Sequence, residues 1–132
     1  MGPYSYRSDY AMKDGLPVTY ISFYLRSNTA RVFIGALRAI GEPSITHFLI
    51  NEDRMELILE PYHKKDFQSF RVPADIYIDS GKTKNMTVHS KAFCRLLAMR
   101  LGWDISESYR VPGVIFHKQN MIVFRLKSAK II

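Results

Sequence analysis

The chain has 132 residues, a net charge of +7 and a composition that is 47% hydrophobic and 13% aromatic, which is enough apolar material for a packed core and argues against disorder. No apolar run approaches the roughly 20 residues that cross a bilayer, and the first 15 residues lack the apolar core of a signal peptide. Cys94 is the only cysteine, which excludes an intramolecular disulfide and suits a reducing compartment. We therefore expect a cytoplasmic protein that does not engage a membrane.

The positive charge is concentrated in the second half of the chain. Residues 1–73 contain nine Lys/Arg and eight Asp/Glu, whereas residues 74–132 contain ten and four. A basic surface favours a polyanionic partner such as nucleic acid. Charge alone is equally consistent with a soluble domain that happens to be basic.

The first third of the chain predicts an arm, a strand and a turn. Residues 1–15 are polar and rich in tyrosine, which indicates a flexible N-terminal arm. Residues 18–25 are β-branched and aromatic, as expected for a strand covered on both faces. Residues 26–29 suit a turn, and residues 31–34 satisfy the periodicity of a strand or of a helix equally well.

A short helix and a hairpin follow. Phe33, Leu37 and Ile40 would share one side of a helix, and Gly41 can take the positive φ that ends it. Residues 45–50 and 55–59 are two β-favouring runs around a polar tetrapeptide, so they predict a β-hairpin.

The same order of elements returns after a linker. Residues 75–79 alternate as a strand, residues 80–85 form a turn with two lysines, and residues 86–89 predict a short strand. Residues 90–101 then predict a helix that ends at Gly102, and residues 113–126 predict a second hairpin. Each half thus has the order strand, turn, short strand, helix, hairpin.

This order indicates two tandem repeats within one globular unit. Residues 48–60 overlay residues 114–126 without a gap at an offset of 66, with Met55 falling on Met121. The predicted organisation is an arm (1–15), a first repeat (16–62), a linker (63–73) and a second repeat (74–132). Two such repeats would pack on each other to bury their apolar faces. Chance similarity between amphipathic segments is the alternative explanation.

The residues of the first repeat resemble a known DNA-binding fold. The segment Arg31-Val-Phe-Ile, the pair Leu37-Arg38, Gly41 and the hairpin FLINEDRMELILEPY (48–62) resemble the AbrB-type swapped-hairpin domain. Two copies in one chain are similar to the tandem arrangement of MraZ-type regulators. The resemblance implies an α+β fold in which tandem strand-helix-hairpin repeats interlock as a pseudo-dimeric swapped-hairpin β-barrel, as a monomer or a homodimer.

The resemblance also implies a function and a set of contact residues. It implies a small DNA-binding protein, a transcriptional regulator, that contacts duplex DNA through basic side chains which bind phosphates or reach base edges. The alternative is an inhibitory or accessory module of a mobile element that binds a protein or a ribonucleoprotein without binding DNA. By their place in the repeats, the expected nucleic-acid contacts are Arg26, Arg31, Arg38, Lys82, Lys84, Lys91 and Arg95.

No motif in the sequence predicts catalysis, a metal or a cofactor. Gly81-Lys82-Thr83 resembles the end of a phosphate-binding loop, but Ile76 occupies the position of that loop's first glycine, so a basic turn is the better interpretation. The four histidines are scattered singly, without the short spacings of a zinc site. We therefore expect a protein that is not an enzyme and that uses no cofactor.

Overall fold

A computed structural model of the chain describes residues 11–13, 16–63, 69–78 and 85–132. These residues form a mostly antiparallel sheet, curled into a nearly closed barrel, and two helices, which confirms the predicted barrel-like α+β class. The strands are β1 (Ala11–Lys13), β2 (Leu16–Tyr24), β3 (Thr29–Phe33), β4 (Ile45–Asn51), β5 (Glu56–Pro61), β6 (Ser69–Arg71), β7 (Asn85–His89), β8 (Ser108–Phe116), β9 (Met121–Arg125) and β10 (Lys130–Ile131), and the helices are α1 (Ile34–Ala39) and α2 (Lys91–Leu101).

The strand order brings the two ends of the sheet together. Along the sheet the order is β6-β4-β5-β9-β8-β2-β3-β7, with β1 paired to β2 and β10 paired to β8. Near the open seam the Thr46 hydroxyl of β4 donates to the sulfur of Met86 on β7 at 3.9 Å, and both residues are buried. Phe70 of β6 lies 6.4 Å from Phe93 of α2, measured between ring centroids. These contacts show that the two edge strands, β6 and β7, are separated by only a narrow gap.

Alternation along the strands fills the barrel. Successive side chains of a strand point to opposite faces, so every second residue enters the core. Ile21 and Phe23 of β2, Leu57 of β5 and Phe124 of β9 are fully buried in this way. The predicted strand at residues 18–25 and both predicted hairpins are confirmed, although β8 begins at Ser108, five residues before the predicted start. The expectation that the strand is covered on both faces was wrong, since Tyr20 on its outer face is 47% exposed.

Both helices end where glycine was expected to end them. Gly41 has a φ of 95° after α1, and Gly102 has a φ of 69° after α2, a region that favours glycine because it has no Cβ. Ser90 caps α2, its hydroxyl accepting a hydrogen bond from the Phe93 amide at 3.2 Å. Of residues 31–34, which the sequence left open between strand and helix, the first three belong to β3 and Ile34 begins α1.

Three predicted segments differ from the structure. Ala74–Tyr77 form a 3-10 turn and not a strand, because Pro73 fixes the backbone before it and the Tyr77 hydroxyl is anchored on the Pro43 carbonyl at 2.6 Å. The predicted linker contains β6, which pairs with β4, and the predicted arm contains β1. The predicted two-lysine turn lies mostly outside the described residues, since only its last residue, at position 85, is described.

The two hairpins match at an offset of 65 residues, so the predicted offset of 66 was wrong. At 65, Leu57 falls on Ile122, and both are fully buried. Met55 then falls on Asn120, and both turn residues have a positive φ, 51° and 52°. A one-residue slip exchanges the two faces of a strand. The alignment of Met55 with Met121 therefore matched inward-facing residues of one hairpin with outward-facing residues of the other.

Neither described helix has the length and apolar character that would let it cross a membrane.

Candidate nucleic-acid interface

Three of the predicted contact residues meet at the turn between β2 and β3. Arg26 lies in this turn and donates through Nε to the Ser106 carbonyl at 2.9 Å. Arg95 of α2 donates through Nε to the Asn28 side chain at 3.4 Å, which ties the helix to the same turn. Lys91 lies one helical turn before Arg95, so it shares a side of α2 with it. All three basic side chains are exposed.

The carboxylate of Asp104 lies near the turn cluster, which is formed by Arg26, Lys91 and Arg95. The side chain and the backbone amide of Ser106 donate to Asp104 at 2.7 and 2.9 Å. These hydrogen bonds, together with the nearby positive charge of Arg26, hold the pKa of Asp104 below its usual value. The carboxylate therefore stays ionised at neutral pH and offsets part of the cluster's positive charge.

The other predicted contact residues do not join this cluster. Arg38 of α1 donates to the Tyr77 carbonyl at 3.3 Å and approaches the Glu42 carboxylate at 4.0 Å, so it fastens the helix to the 3-10 turn. Arg31 projects from the outer face of β3 and is exposed. Lys82 and Lys84 lie outside the described residues.

Around Arg31 the sheet carries a basic surface that the sequence reasoning missed. Strand register aligns Arg31 of β3, Ser22 of β2, Arg110 of β8 and Lys130 of β10 in one row. Neighbouring strands are about 4.8 Å apart, so Arg31 and Arg110 are separated by about 10 Å at their backbones. Arg125 follows the inward Phe124 on β9 and therefore points outward too. We call these four cations and two interleaved tyrosines the basic face: Arg31, Arg110, Arg125, Lys130, Tyr20 and Tyr24.

The two tyrosines hold two of the arginines in place. The guanidinium of Arg31 lies 4.9 Å from the ring centroid of Tyr24, and that of Arg110 lies 5.6 Å from the ring centroid of Tyr20. Such cation–π contacts orient a guanidinium without neutralising its charge. The arginines thus stay available to an anion.

The basic face is not neutralised by the described acidic residues. None of its four cations lies within ion-pair distance of a described carboxylate. The nearest in register is Glu56, which is opposite Arg125 in the β5–β9 ladder. This surface therefore presents positive charge that forms no ion pair with a described carboxylate, next to the exposed ring of Tyr20.

A groove of about 750 Å³ runs along one side of the basic face. Apolar side chains of Val18, Pro112 and Val114 line it, and strand register places Val18 opposite Val114. Arg110, Arg125 and Lys130 also line it, as do Tyr20, Ile131 and Ile132. Among the described residues that line the groove there is no carboxylate side chain.

Two other features bear on chemistry. Cys94 is buried on α2, and burial raises the pKa of its thiol to about 11, so it is protonated at neutral pH and is a poor nucleophile. Within the described ranges, no group of three or more His, Cys, Asp and Glu side chains could hold a metal ion. His47 instead pairs with Glu60 at 2.8 Å.

The missed cations could have been found from strand periodicity. Arg110 lies between two inward residues, Tyr109 and Val111, and Arg125 lies between Phe124 and Leu126. A basic residue at an alternate position of a strand must point outward. The sequence could not show that β8 pairs with β2, which is the contact that brings Arg110 beside Tyr20.

Comparison of the chain with models of protein families, with curated proteins and with solved structures found no match.

Proposed function

We propose that this chain is a small nucleic-acid-binding protein that contacts DNA through the basic face. The observation that carries the proposal is the row formed by Arg31, Arg110 and Lys130, joined by Arg125, without an ion pair to a described carboxylate. Guanidinium and ammonium groups in this arrangement bind phosphates, and the binding releases counterions. Arg26, Lys91 and Arg95 extend the positive surface at the β2–β3 turn.

We propose further that the fold is a swapped-hairpin barrel of the AbrB type, with both repeats in one chain. Each hairpin pairs with strands that lie outside its own repeat, because β8 pairs with β2 and β5 pairs with β9. At the offset of 65, Ile58 pairs with its own counterpart, Val123, as expected at a two-fold axis. The proposal makes the regulator a monomer, so light scattering should give 15.3 kDa. A mass twice as large would mean that the hairpins swap between chains.

Charge reversal tests the proposed DNA contact. The variant Arg31→Glu/Arg110→Glu should lose most of its affinity for a fluorescein-labelled duplex in fluorescence anisotropy, because phosphates then meet two carboxylates. Lys118→Glu is the control, since this exposed lysine lies beyond the end of β8, eight residues after Arg110. Equal affinity in the reversed variant and the control would contradict the proposal.

A second candidate function is recognition of a protein or a ribonucleoprotein through α2. Met99 is 73% exposed and Leu96, three residues earlier, is 36% exposed, so one side of the helix presents apolar groups to solvent. Such groups can anchor a protein interface. A complex that resists salt and is lost in Met99→Glu, while DNA affinity is unchanged, would favour this function.

A further inference from the structure

The groove beside Tyr20 has a composition that phosphates alone do not explain. Its cations, Arg110, Arg125 and Lys130, suit an anion. The groove also has an apolar lining, formed by Val18, Pro112 and Val114. A hydrated phosphate has no apolar surface to bury against these side chains. A ligand that uses both parts must combine an apolar planar surface with negative charge.

An unpaired nucleotide has this combination. In a duplex the faces of the bases are stacked inside the helix and only their edges reach the grooves, whereas a single strand exposes the faces of its bases. Tyr20 is 47% exposed at the side of the groove, and single-strand-binding proteins stack bases on such rings while a basic groove follows the backbone. The volume of about 750 Å³ is within the range of small-ligand sites.

The corresponding place in the other half of the barrel is built differently. At the offset of 65, Pro112 corresponds to His47 and Arg125 corresponds to Glu60. There the imidazole and the carboxylate bond each other at 2.8 Å, and the ring of Tyr62 stacks on His47 at 4.1 Å between centroids. The cationic groove is therefore particular to the β2–β8–β9 side and is not a general consequence of the hairpin.

We propose that this groove takes an unpaired nucleotide of a single strand, its base stacked on Tyr20 and its flanking phosphates bound by Arg110, Arg125 and Lys130. The inference rests on the proposed nucleic-acid binding and specifies the form of nucleic acid that the groove selects. It assigns one such site to each chain.

The test compares a labelled single strand of thymidylates, about 12 nucleotides long, with a duplex of the same length in fluorescence anisotropy. Tyr20→Ala should weaken binding of the single strand by roughly 5- to 150-fold, the range for loss of one stacked base. It should weaken duplex binding by a smaller factor, because the duplex loses only the ring that orients Arg110. Tyr20→Phe keeps the ring and should bind like the unmodified protein. Unfolding curves confirm that each variant is folded.

The outcomes separate this inference from the proposed function. Suppose that the protein binds both probes. If Tyr20→Ala then weakens the binding of both probes equally, or weakens the binding of neither probe, the stacking inference is wrong and the proposed function stands. If it binds only the duplex, the same conclusion follows. If it binds only the single strand and loses that binding in Tyr20→Ala, the inference holds and duplex recognition is wrong. Binding to neither probe at low salt would overturn both.

Discussion

Replacing Gly113 by alanine should destabilise the barrel because of one specific contact. Gly113 on β8 is opposite Phe124 on β9, whose ring is fully buried. A Cβ at position 113 would lie 2.5 Å from Cδ1 and 2.8 Å from Cε1 of that ring, closer than carbon atoms can approach. The ring cannot move away freely, since protein interiors are close-packed.

The size of the effect follows from the cost of overpacking. Inserting a methyl group into a packed core costs about 1–3 kcal/mol, so Gly113→Ala should lower the free energy of unfolding by that amount. For a chain of this length the Tm should fall by roughly 3–10 °C. Thermal unfolding followed by circular dichroism, with urea titration for the free energy, measures both quantities.

A second substitution tests the cause. Phe124→Leu removes the ring, so it should cost less in the Gly113→Ala background than in the unmodified protein, with a coupling of about 1 kcal/mol or more. Strictly additive effects would show that the two side chains do not compete for space. A Gly113→Ala variant as stable as the unmodified protein would refute the reasoning altogether.

Two further predictions concern α2. Burial raises the pKa of Cys94 from 9.0 to about 11, so the folded chain holds its proton where the unfolded chain releases it. The stability from this group is fully present below about pH 9 and is lost as the pH rises towards 11. Cys94→Ala should therefore flatten the decline of Tm across that range, and an unchanged decline would contradict the assignment. Ser90→Ala removes the cap on the Phe93 amide, so it should lower the free energy of unfolding, measured in urea, by about 1 kcal/mol. Ser90→Asp should retain most of the stability. Equal losses in both variants would show that the cap is not the cause.

Much of the fold could be predicted from local patterns. Gly41 and Gly102 ended the helices as expected because only glycine takes a positive φ without strain, and the hairpins followed from apolar runs around polar turns. Ala74–Tyr77 could not be predicted, since four residues satisfy a strand and a 3-10 turn equally and the anchor on Pro43 is 34 residues away.

The candidate site was harder to predict from the sequence than the fold. Arg31 was predicted because it belongs to a recognisable segment, but Arg110, Arg125 and Lys130 share a surface with it only through the pairing of β8 with β2, β9 and β10. Strand pairing over such sequence separations leaves no local signal. Arg38 was predicted as a nucleic-acid contact from its place in the repeat. In the structure it lies outside the basic face and donates to the Tyr77 carbonyl.

The salt dependence of duplex binding by the unmodified protein tests the proposed function most directly. Four phosphate contacts predict a slope of about −3.6 for log affinity against log salt, which is a loss of roughly 150-fold between about 50 and 200 mM. Arg110→Gln should make the slope shallower by about one unit, and Lys118→Gln should leave it unchanged. A flat salt dependence, or no binding at the lower salt concentration, would contradict the assignment of the basic face to nucleic acid.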